Sequence, residues 1–233
     1  MKKQIPNIIT SLNVFFGSLA IIAALQDNLT MVLWCIGVSL VADFFDGFAA
    51  RLLNVSGPMG KELDSLADMV SFGLLPGVLA YKLLLAQNMP SNGFFTLAFF
   101  GFLITVFSAV RLAKFNLDTR QTENFIGLNT PATTMFVLGL SIMQAYSPWF
   151  QNLMSNQTWI LFVLILILSI LLVSEFPMFS LKLKNFKWVS NKYRYLLIVG
   201  AIALFSINMV FFMSGVILWY LILSVVYWKT EAH

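Results

Sequence analysis

Four aspartates, Asp43, Asp46, Asp64 and Asp68, stand with Arg51 between apolar runs long enough to be membrane helices. A carboxylate inside such a helix costs roughly 2.5 to 3.5 kcal/mol on insertion scales, so acids in two neighbouring helices need a task or a partner. Asp43 and Asp46 are three apart and Asp64 and Asp68 four apart, so each pair shares one helical face. Between the pairs, Ser56, Gly57, Pro58 and Gly60 supply a turn that would fold the second acidic helix back against the first. The four carboxylates would then converge at one depth and repel one another. Divalent cations remove that conflict: oxygen ligation favours Mg²⁺ or Mn²⁺, and two ions about 3.5 to 4 Å apart suit phosphoryl chemistry. Gly47 and Ala50 leave room for a bulky ligand beside the backbone, and Arg51 offers a fork of donors to phosphate oxygens. The constellation reads as a metal-bridged diphosphate site. A proton or cation pathway, and a charge network neutralised by Arg51 and Lys61, remain alternatives. A transporter site is expected near the bilayer midplane in repeated halves, whereas these acids flank a short polar loop without a later duplicate.

The rest of the chain must build the membrane frame that holds this stretch. Of 233 residues, 59% are apolar and 10% charged, against about 25% charged in a soluble domain, which marks an all-α integral membrane protein with a single membrane domain. Helices of about 20 residues cross the hydrocarbon, and the apolar runs predict about eight, near 8–25, 31–53, 63–87, 94–115, 130–147, 158–174, 193–213 and 215–229. The last two are divided at Ser214 and Gly215. With both termini cytoplasmic, every lysine and arginine except Lys82 falls on or near the inner side, and Lys82 would snorkel from the outer end of the third span. Residues 1–150 would form the catalytic core and 151–233 add further helices.

Net charge of +4 is scattered through short loops, so a nucleic-acid partner is not expected. Cys35, the lone cysteine, reads as a small core residue, and the single histidine, His233, is terminal, so metal ligation falls to oxygen. Asn7, Thr10 and Asn13 recur every three residues and form a polar stripe on the first helix. The polar segment 175–194 reads as a topology signal, with contact to anionic headgroups as the alternative. Gly73, Gly77, Ala80, Gly101 and Ala109 would permit close helix packing.

The stretch matches, at Asp43, Asp46, Gly47, Ala50, Arg51, Gly60, Asp64 and Asp68, the signature Asp-x2-Asp-Gly-x2-Ala-Arg-x8-Gly-x3-Asp-x3-Asp, and so resembles the CDP-alcohol phosphotransferase family. PNIITSLN (6–13), GKELDSLADMVSFG (60–73), RLAKFNLDTR (111–120) and FIGLNTPA (125–132) resemble its membrane-embedded bacterial phosphatidylserine synthase subgroup. Phe48 and Asn129 depart from that pattern.

The resemblance implies transfer of a phosphatidyl group from CDP-diacylglycerol to L-serine with release of CMP, in a homodimer in the bacterial inner membrane, with the site facing the cytoplasm. It implies that Asp43, Asp46, Asp64 and Asp68 hold two divalent ions and that Asp68 is also the general base. Gly47, Ala50, Arg51 and Gly60 would contact CDP, joined by Asn7, Thr10 and Asn13. A serine acceptor needs cations for its carboxylate, for which Arg111, Lys114 and Arg120 are available, with Asn116 and Asp118 close by. Arg111 and Lys114 would share a face. Other acceptors, such as glycerol phosphate or inositol phosphate, and an ion transporter remain the alternatives.

Overall fold

The computed structural model describes residues 4–55, 57–87, 96–117, 125–181 and 188–231. Helices α1 (Gln4–Leu25) and α2 (Leu29–Leu52) form a hairpin. Its turn places Asp27 in the left-handed region at φ 58°, and the Asn28 side chain caps α2 by accepting from Met31 N at 3.0 Å. Asn54, at φ 50°, ends α2 in the same conformation. Pro58, whose missing N–H costs nothing in a first turn, opens α3 (Pro58–Asp68).

The chain runs on from α3 through a π-helical turn, Met69–Leu74, into α4 (Leu75–Leu85). Pro76 has no N–H to offer the carbonyl of Phe72, and the Thr134 hydroxyl stands 3.1 Å from that carbonyl and 2.9 Å from Thr130 O, its one proton shared between them; Thr105 donates to Gly73 O at 3.1 Å. A 3-10 segment, Leu97–Phe102, leads into α5 (Leu103–Leu117). Then come α6 (Thr130–Tyr146), α7 (Pro148–Asn156), α8 (Trp159–Val173), α9 (Trp188–Ile207) and α10 (Met209–Glu231). Two short strands that the apolar pattern did not announce, β1 (Phe125–Ile126) and β2 (Pro177–Met178), pair antiparallel, with Phe125 opposite Met178.

Nearly all of the described chain is helical. Among the described residues, five helices are long and apolar enough to cross a membrane: α1, α2, the continuous Pro58–Leu85, Leu97–Leu117 and Met209–Thr230. A sixth arises if α7 and α8, bent by 94° at their junction, count as one span. The sequence pattern leads to about eight; of the remainder, α6 has only 17 residues and α9 is interrupted at Asn191. The division of the last two helices also falls elsewhere. It lies at Asn208, whose side chain accepts from Val210 N at 2.9 Å, whereas Ser214 and Gly215 are inside α10. Ser214 instead donates to Phe136 O at 3.0 Å, where the bare Gly139 lets α6 and α10 cross in near backbone contact.

Close crossings occur at the other small residues too. A Cβ on Gly101 would stand 2.8 Å from the Ala80 carbonyl carbon, and one on Gly73 would stand 3.2 Å from Ser108 Cβ. Gly77 packs against Thr105, whereas Ala109 is exposed and makes no such crossing. Cys35 is buried, as expected of a small core residue. Lys82 pairs with the exposed Asp27 at 2.7 Å and donates to Leu25 O at 3.1 Å, which places its charge at the carbonyl end of α1.

The acidic helices are arranged differently from a simple folded-back pair. Helix α3 packs along α1, and α2 and α3 make little direct contact. They meet through their carboxylates, with α1 as the common wall. Asp118, Arg120, Ser56 and His233, and most of the basic residues of 175–194, lie outside the described residues.

Candidate active site

Asp43 of α2 and Asp64 and Asp68 of α3 each present a carboxylate oxygen within 4.8 Å of the other two. Asp46 falls outside that trio. It is buried beside α1, where Thr10 Oγ1 lies 2.6 Å from its Oδ2. Three of the four acids thus approach within 4.8 Å of one another, while Asp46, one helical turn along α2 from Asp43, lines a cavity together with Asp64 and is held by Thr10.

Helix α1 contributes its polar stripe to both acidic helices. Asn7 lies against Gly60, where a Cβ would stand 3.5 Å from Asn7 Oδ1. Asn13 is fully buried, and its Nδ2 stands 3.5 Å from Asp68 Oδ1. Its main-chain carbonyl accepts two hydroxyls, Ser39 Oγ of α2 at 3.1 Å and Ser71 Oγ of the π turn at 3.0 Å, which locks three elements together behind Asp68.

Two cavities flank the acids, and the four aspartates divide between them. The first, of about 230 Å³, is lined by Asn7, Thr10, Asp46, Gly47, Ala50, Gly60 and Asp64, and also by Pro6 and Lys61. The second, of about 200 Å³, is lined by Asp43, Asp68 and Arg111 with Leu112, Phe115 and residues 129–131. Around Gly47 there is open space, its nearest neighbour being Arg51 Nη1 at 3.8 Å from a Cβ position. Arg51 itself is exposed at the edge of the first cavity.

Arg111 is 7% exposed and donates from Nη1 to Leu172 O at 2.9 Å. Lys114 does not share its surroundings; it is exposed, one turn further along α5. Asn116 faces α3 instead of the second cavity. Its backbone oxygen accepts from Lys61 Nζ at 2.7 Å and its Oδ1 accepts from Ser65 Oγ at 3.1 Å. Sequence reasoning did not single out Asn129, Thr130 and Pro131 as cavity wall. The signal was present in FIGLNTPA, where Asn129 caps α6 by accepting from Ala132 N at 2.8 Å and Thr130 and Pro131 begin the helix.

The donor set fits a divalent cation. Asp64 Oδ1 is buried without a hydrogen-bond partner among the described residues, and none of the four aspartates is ion-paired to a described lysine or arginine. Buried carboxylates in that state call for a charge that the described residues do not bring.

Residues 3–171 match the sequence profile of the CDP-alcohol phosphatidyltransferase family. A Helicobacter pylori protein named CDP-diacylglycerol–serine O-phosphatidyltransferase is 30% identical over 227 residues, covering 96% of this chain and 90% of its own. A Bacillus subtilis protein of the same name is 38% identical over 148 residues, covering 62% of this chain and 77% of its own. Similarity over that span, with the acids grouped between two cavities and joined by α1, places this chain in the CDP-alcohol phosphatidyltransferase family.

Proposed function

We propose that the chain transfers the phosphatidyl group of CDP-diacylglycerol to the hydroxyl of L-serine and releases CMP. One observation carries this reading: the aspartates sit between two cavities, one walled by the signature's small residues and the other holding a buried arginine. A two-substrate transfer needs that arrangement, with donor and acceptor reaching the same acids from opposite sides.

The donor diphosphate occupies the first cavity, where Gly47, Ala50 and Gly60 admit it close to the backbone, with Asn7 and Thr10 beside it and Arg51 at its edge. Two divalent ions, Mg²⁺ or Mn²⁺, held by Asp43, Asp46, Asp64 and Asp68 would supply positive charge to the diphosphate oxygens. Thr10 fixes the Asp46 carboxylate, and Asn13 stands behind Asp68. In the second cavity Arg111 takes the serine carboxylate, assisted by the positive end of α6 at Thr130 and Pro131. Asp68 lines that same cavity and accepts the proton of the serine hydroxyl as its oxygen attacks phosphorus and the bond to CMP breaks. Lys114, Asn116, Asp118 and Arg120 remain candidates for the acceptor's approach from water.

Among the described residues, Arg111 is the cation lining the second cavity, a single charge that suits a carboxylate better than a phosphorylated acceptor. Family membership leaves the transporter reading without support. The deciding experiment measures CMP release by purified protein in detergent with CDP-diacylglycerol and Mn²⁺ or Mg²⁺. Release dependent on both metal and serine is expected; release with glycerol phosphate or inositol phosphate instead would overturn the serine assignment. The homodimer and the inner-membrane, cytoplasm-facing placement belong to this proposal and are checked by crosslinking and by labelling of intact cells.

A further inference from the structure

The last helices have no part in the signature, and the family profile ends at residue 171. The Bacillus subtilis relative is aligned over 148 residues that make up 77% of its length, so it is shorter than the 233 residues here. Transfer chemistry in relatives of that name does not require everything this chain carries. The extra residues nevertheless reach the Arg111 cavity through an unbroken series of contacts.

Tyr220 of α10 is buried, and its hydroxyl donates to Phe179 O at 3.0 Å. Its ring meets the Phe179 ring edge-on at 4.9 Å, and Tyr193 and Tyr227 close around the same phenylalanine at 6.0 Å. Phe179 directly follows β2, which pairs with β1. Beyond β1, Gly127 N donates to Phe176 O at 2.8 Å and Leu128 N donates to Leu171 O at 3.0 Å. The next residues, 129–131, are the cavity wall. Gly127 stands at φ 73° with no room for a side chain: a Cβ would lie 2.7 Å from Ser174 O and 2.9 Å from Arg111 Nη1. Arg111 is itself tied to Leu172 O on the same connection.

We propose that α10, through Tyr220, is a positioning device for the acceptor cavity: it clamps residues 176–179, which hold 125–128 in register and so set the wall facing Arg111. Tyr220 touches no substrate. Its loss loosens the acceptor side and leaves the donor side, built from α1, α2 and α3, unchanged. The inference rests on the assignment of the Arg111 cavity to the acceptor, and not on the acceptor being serine.

The test uses full-length Tyr220→Phe, which keeps the ring and removes one hydrogen bond, and Gly127→Ala at the other end of the series. Amide exchange in the 125–131 peptide is measured together with steady-state CMP release, with serine or whichever acceptor supports release in the unmodified protein. Tyr220→Phe is expected to speed exchange at Gly127 and Leu128. It is also expected to raise the acceptor KM by about 3- to 10-fold, the weight of one hydrogen bond, while the CDP-diacylglycerol KM stays within about 2-fold. Gly127→Ala is expected to shift the acceptor KM in the same direction. Unchanged exchange, or faster exchange with an unmoved acceptor KM, or equal shifts in both KM values, would overturn the proposal. Failure of serine to support release in the unmodified protein would strike the serine assignment alone.

Discussion

Thr10 and Asp46, thirty-six residues apart, are joined by a hydrogen bond of 2.6 Å between Oγ1 and Oδ2. The same hydroxyl lies 3.0 Å from Pro6 O, a helical carbonyl one turn back. A hydroxyl has one proton, and the shorter, charge-assisted bond to the carboxylate takes it. The polar stripe of α1 thus acts on the signature acids as well as on the cavity.

Removing that bond should weaken the metal site. Thr10→Ala is expected to raise the Mg²⁺ or Mn²⁺ concentration for half-maximal activity by about 10- to 100-fold, the usual weight of an outer partner of a metal-binding carboxylate. Thr10→Ser keeps the hydroxyl and should stay close to the unmodified protein. Metal titrations of CMP release distinguish the two, and an identical response from both variants would refute the assignment.

Asp64 contributes a carboxylate oxygen that is buried and, among the described residues, unpartnered. Asp64→Asn should reduce transfer by at least about 10³-fold, because a neutral amide supplies neither the charge nor the ligand strength of a carboxylate. The variant should elute from size-exclusion as the unmodified protein does. Turnover close to normal would remove the proposed ion site, as would activity that survives exhaustive chelation.

Arg111 lines the second cavity with Asp43 and Asp68 and is absent from the first. Arg111→Ala is therefore expected to raise the serine KM by about 10-fold or more while the donor KM changes little. Arg111→Lys should not rescue it, since an ammonium cannot bond Leu172 O and a carboxylate with the same fixed fork. Initial rates over both substrates provide the comparison, and equal losses for the two would assign Arg111 a purely structural role.

Gly101 lies at the crossing of the segment Leu97–Phe102 with α4, where a Cβ would run into the backbone of Ala80 and Tyr81, 2.8 Å from the Ala80 carbonyl carbon. Gly101→Val should cost about 1 to 3 kcal/mol by overpacking. Thermal unfolding in detergent should show a lower midpoint, and an unchanged midpoint would mean that the crossing can open without penalty.

The acidic signature was legible in the sequence because helical spacing alone puts Asp43 with Asp46 and Asp64 with Asp68 on common faces, and because burying carboxylates in an apolar chain is costly without a counter-charge. The membrane class and the close crossings at Gly73, Gly77 and Gly101 followed from composition and small residues for similar local reasons. Tertiary structure decided the rest. Which acids meet depends on α2 and α3 both packing on α1, an arrangement that no periodicity encodes, and it puts Asp46 against Thr10. Arg111 and Lys114 have the spacing of a pair, yet one is buried against Leu172 O and the other exposed, because the end of α8 covers only one side of α5. Lys82 of α4 finds its partner Asp27 in the distant α1–α2 turn, a pairing that the loop charges do not encode. Helix spacing is a property of neighbours in the chain; cavities, ion pairs and the clamp of Tyr220 on Phe179 join residues far apart in it, and only packing brings those together.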